Sequence, residues 1–165
     1  MQNTESYLQV MIESLIKKSQ ILDRIISKNE AQLECIKGKE YEEVNWTNFN
    51  VLVAEKETAI NQINEIDEGF SNVYERVRED VLANKELYRD KVLKLQELIS
   101  MLTDKGVKIQ ASEDRNRQII DGIFQKTRQD IKKQRTSVKV ASQYYKTMSN
   151  VDLRAADQVI LDEKK

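Results

Sequence analysis

The chain has 165 residues, and its 27 lysines and arginines against 28 aspartates and glutamates leave a net charge of -1. A molecule so nearly neutral has no overall field to hold nucleic acid or an anionic membrane. Proline is absent, glycine occurs four times and 33% of residues are charged, which fits long solvated helices and leaves a sheet protein without its turn residues.

The segment MQNTESYLQV has no basic stretch leading into an apolar core, and the longest uncharged run, which includes Asn45 to Ala54, is far short of a membrane span. No membrane insertion is expected. Cys35 is the only cysteine, so no internal disulfide can form and a reducing cytoplasm is the simplest compartment.

From Asn3 or Thr4, either of which suits an N-cap, apolar residues recur at Leu8, Ile12, Leu15, Leu22, Ile26, Leu33 and Ile36, with Ser19 and Asn29 in the two gaps. This alternation of threes and fours predicts a helix over about 4–37. Gly38 supplies the left-handed residue that ends it. After a polar connection, Asn45 or Thr47 caps a second helix over about 47–83, returning antiparallel with Phe49, Leu52, Ala59, Ile63, Ile66, Phe70, Val73 and Val77 as its seam. Heptad phase is kept across Gly69, so the helix runs through it. The phase slips after Val77, which marks a stutter or a bend near 83–86.

A third helix is expected over about 85–148, with Tyr88, Val92, Leu95, Ile99, Leu102, Ile109, Ile120 and Ile123 in register. Asp104-Lys105-Gly106 resembles a C-cap, but Leu102 and Ile109 keep phase across it, which favours continuity. The expected fold class is therefore all-α: an antiparallel three-helix bundle or coiled coil with a long, overhanging third helix. Residues 1–148 form one helical domain, and 149–165 a flexible tail. At 1.5 Å per residue the first two helices cover the third only to about residue 121.

Past that point Ile123, Phe124, Ile131, Val138, Tyr145 and Met148 form a stripe with nothing in the chain assigned to bury it, and they are the candidate partner-binding residues. The competing possibility is that the stripe packs on its own bundle or on a second copy, a weak homodimer. The same stretch carries Lys126, Arg128, Lys132, Lys133, Arg135, Lys139 and Lys146 against Asp130, a local charge of +6. These charges read as spread around the helix and come with no nucleic-acid motif, so a solvated face or attraction of an acidic protein partner is expected before nucleic acid.

Catalysis has few candidates. Without histidine the commonest general base and nearly every zinc site are missing, the glycines are isolated, and Cys35 has no base to activate it. No catalytic, metal or cofactor site is expected, and the chain reads as a non-enzyme.

Three segments carry a family resemblance: LIKKSQILDRIISKNEAQLECI in the first helix, VAEKETAINQINEID with its Glu55-Lys56-Glu57 triplet, and EDRNRQIIDGIF with its Asn/Arg turn and the pair Ile119-Ile120. Together they resemble the FlgN-like flagellar type III export chaperones, with FliT-like chaperones second. DEGFSNVYERV and the C-terminal tail depart from the family pattern. The resemblance implies a cytoplasmic chaperone that holds hook-associated (hook-filament junction) proteins, blocks their early assembly and delivers them to the flagellar export gate. The alternative is a structural coiled-coil scaffold.

Overall fold

The computed structural model describes residues 2–148, and among them there is no strand. Three helices, α1 (Gln2–Ile36), α2 (Trp46–Ala83) and α3 (Arg89–Met148), are joined by a connection holding the short 3-10 turn Tyr41–Glu43 and by a turn at 84–88. The chain divides into two compact units, Met1–Ile119 and Ile120–Lys165. The tail at 149–165, expected to be flexible, lies outside the described residues.

The first unit is the three-helix bundle. Cross-helix pairs set its directions. Lys18 pairs with Asp67 at 2.7 Å and Lys28 with Glu55, so residue numbers fall along α2 as they rise along α1, and the two are antiparallel. Lys91 donates to Gln9, Lys105 pairs with Asp23 and Arg115 with Glu30, so α1 and α3 run parallel. Helix α1 serves two neighbours at once. For that reason it buries two adjacent stripes, with Met11 beside Ile12 and Ile21 beside Leu22, rather than the single seam its sequence spacing implies. These side chains pack with Ala59 and Val77 of α2 and with Leu95, Leu98 and Leu102 of α3. Each fully buried aliphatic side chain contributes about 1.5–3 kcal/mol.

Local chemistry explains the helix ends. Gly38 has φ +67°, the left-handed region that favours glycine, and Lys39 N–H closes on the Ile36 carbonyl at 3.2 Å. Gly38→Ala should cost about 1 kcal/mol by forcing a Cβ into that conformation; a urea melt that leaves the midpoint unmoved would contradict this. Asn45 caps α2, its side-chain oxygen accepting from Asn48 N–H at 3.0 Å.

Helix α3 begins at Arg89 rather than near 85, because the 84–88 turn is tied to the end of α2. Asn84 and Tyr88 both donate to the Asp80 carboxylate at 2.8 Å. Hydrogen bonds from Thr4, at the start of α1, and from Tyr88 lower the Asp80 pKa below its usual 3.8, since each stabilises the anion. Burial first, then the Asp80 contact, raises the Tyr88 phenol. A depressed carboxylate contributes stability fully above its unfolded pKa and loses it as pH falls through the folded value. Thermal midpoints from pH 7 to pH 2 should therefore drop less below about pH 4 for Asp80→Asn than for the wild type; parallel curves would contradict this.

One expectation along α3 is corrected. Ile99 is 47% exposed, and its neighbour Leu98 takes the core position. The polar places in the α1 seam make contacts across the bundle. In α1, Ser19 accepts from Lys105 at 2.7 Å, while Asn29 donates to Ser112 at 2.8 Å. Around Asn29 a buried polar layer crosses the bundle: Asn116 donates to the Asn29 carbonyl at 3.0 Å, and Lys56 reaches Gln32 at 2.8 Å and also pairs with Glu113. The Asn29 side-chain oxygen has no hydrogen-bond partner, a cost accepted more readily where a polar layer fixes register than where it only adds stability.

Candidate functional site

The second unit's described residues are the remainder of α3. The whole helix is 60 residues long against 35 for α1 and 38 for α2, or about 90 Å against about 52 and 57 Å.

The candidate residues divide by burial. Ile123 is 8% exposed and belongs with buried side chains, so it is not available at the surface. Phe124 is 38% and Ile131 46% exposed, and Val138 is half-buried. The backbone of α3 includes Tyr145 and Met148, whose side chains lie outside the described residues. Val140 and Tyr144, on a different side of the helix, are also exposed.

Phe124, Ile131 and Val138 recur every seven residues, so with 3.6 residues per turn they stay within about 40° of one another and make one stripe. The charges beside it are ordered. At about 100° per residue, Arg128, Lys132, Arg135 and Lys139 fall within about 60° along one border of that stripe. The expectation of charges spread around the helix is thus corrected for these four, while Lys126 and Lys133 do lie on the far side. The opposite border carries Thr127, Gln134 and Ala141. All four ridge residues are exposed, and none forms an ion pair among the described residues.

A second apolar surface, not foreseen from the sequence, lies in the first unit. Phe70, Tyr74, Val77 and Leu82 of α2 and Val92 and Ile99 of α3 line an open groove of about 510 Å³. Its signal in the sequence was the surplus of apolar residues off the seam, Tyr74 and Leu82, beside the phase slip after Val77.

The segments behind the family resemblance meet in space. Lys56 of the Glu55-Lys56-Glu57 triplet pairs with Glu113, the first residue of EDRNRQIIDGIF, and Arg115 and Asn116 of that motif bond to Glu30 and Asn29 of α1. Their visible work is to align three helices. No described helix is long and apolar enough to cross a membrane. No family model, no curated protein and no solved structure matches this chain.

Proposed function

We propose that this chain is a cytoplasmic export chaperone of the FlgN-like kind. It holds the C-terminal helical segment of a hook-associated protein against α3, keeps that segment from assembling early, and passes it to the flagellar export gate. The single observation that carries the reading is the stripe of exposed Phe124 and Ile131 with half-buried Val138 on a helix 60 residues long. Large apolar side chains aligned on one exposed helical face are what an amphipathic partner helix covers. The family resemblance implies that the client's assembly segment is itself such a helix, which a helical face can cover. The family resemblance of three segments supplies the flagellar part of the proposal.

The test is to mix the full-length chain with the C-terminal helical segment of a hook-filament junction protein and measure mass by light scattering. A discrete complex of defined stoichiometry is expected. An obligate homo-oligomer that ignores the segment would overturn the proposal in favour of a coiled-coil scaffold.

A further inference from the structure

We infer that the occupant of the α3 stripe is an amphipathic helix bearing acidic side chains along one border of its apolar seam, the border that meets Arg128, Lys132, Arg135 and Lys139. This rests on the proposed docking role of that stripe and adds the chemistry of the partner.

The first unit shows how this chain joins helices. Lys18, Lys28, Lys56, Lys105 and Arg115 each reach across to a carboxylate on a neighbouring helix: Asp67, Glu55, Glu113, Asp23 and Glu30. Cations flank the apolar contact, and the neighbour supplies the anions. Along 124–139 cations again flank an apolar stripe, but among the described residues no carboxylate pairs with Arg128, Lys132, Arg135 or Lys139. Phe124, Ile131 and Val138 provide the seam that these four cations border. Spaced three and four apart, like charges on one helix repel by a few tenths of a kcal/mol per pair, and a row of carboxylates on a docked helix would relieve that.

A second copy docking through this same segment answers poorly, because Asp130 is the only acidic residue between Gly122 and Met148 and cannot meet four cations. Nucleic acid would satisfy the cations but offers no seam for Ile131 and Val138. The other border, with Thr127, Gln134 and Ala141, is uncharged, so the acidic row is required on one side only and sets how the partner lies.

The test uses three labelled three-heptad helical peptides with the same leucine seam and Glu, Gln or Lys along one border, measured by fluorescence anisotropy against the full chain. At low ionic strength the Glu peptide should bind at least about ten-fold tighter than the Gln peptide, with the Lys peptide weakest. The Glu-to-Gln gap should close in 0.5 M salt, where screening shortens to about 4 Å, and in the variant R128Q/K132Q/R135Q/K139Q. Equal binding of all three peptides, lost in I131S/V138S, overturns the acidic-partner inference while the docking face stands. Binding that I131S/V138S leaves intact overturns both. A Glu peptide that does not bind, a chain that dimerises alone through Ile131, or a DNA duplex that displaces the Glu peptide at equal concentration each overturns the inference.

Discussion

Replacing Ile131 and Val138 together by serine is expected to weaken capture of a hook-associated segment by about a hundred-fold, while the thermal midpoint of the chain stays within about 2 °C of the wild type. The two halves of this expectation have one cause. Ile131 is nearly half exposed and Val138 half-buried, so neither contributes much to folding; covered by a partner, each would gain about 1.5 kcal/mol or more. A core substitution should do the reverse. Ile21, fully buried in the first unit, should cost about 2–4 kcal/mol on truncation to alanine. Calorimetric titration and a circular-dichroism melt of the same preparations separate the cases. A serine pair that unfolds the protein, or one that binds normally, would contradict this account of the stripe.

The second large effect is expected at Lys56. Its ammonium is buried between Gln32 of α1 and Glu113 of α3, and Lys56→Ala leaves both acceptors without their donor. The expected loss is about 2 kcal/mol, at the low end for breaking a buried pair because the Glu113 side chain is 33% exposed and water can partly replace the lysine. Removing both charges should behave differently. Lys56→Met with Glu113→Leu exchanges a desolvated pair for apolar packing, which is commonly neutral or stabilising. Urea denaturation of the three proteins decides it, and an alanine variant within about 0.5 kcal/mol of the wild type would show that the layer does not hold the helices in register.

Much of this architecture was written in local patterns. The three-and-four spacing from Leu8 to Ile36, Asn45 as a cap and Gly38 as a terminator are each decided by a few neighbouring residues, and the helices follow them. Passage through Gly69 and Gly106 was also legible, because phase on either side of each glycine was preserved. Choices made between helices were not. Leu98 and Ile99 are equally apolar neighbours, and only the position of α1 decides which is buried. Ser19 and Asn29 looked like gaps in a seam; Lys105 and Ser112, more than eighty residues away, turn them into contacts. The four-residue delay of α3 depends on Thr4, Asn84 and Tyr88 converging on Asp80. No sequence window contains that meeting.

The candidate site was legible to a similar degree. Heptad spacing located Phe124, Ile131 and Val138, but burial of Ile123 is a tertiary outcome that spacing alone leaves open. The basic ridge was present in the sequence throughout. Seven cations counted along a chain look evenly scattered, and only their helical angles place Arg128, Lys132, Arg135 and Lys139 together beside the stripe.

Amide hydrogen exchange of the full chain, alone and saturated with the C-terminal segment of a hook-filament junction protein, tests the central claim most directly. Binding should slow exchange across 124–144 of α3 and leave the bundle core around Ile21, Leu95 and Leu102 unchanged. Protection confined to the groove around Tyr74 and Leu82, with 124–144 exchanging as in the free chain, would contradict the claim that this face of α3 is where the partner docks.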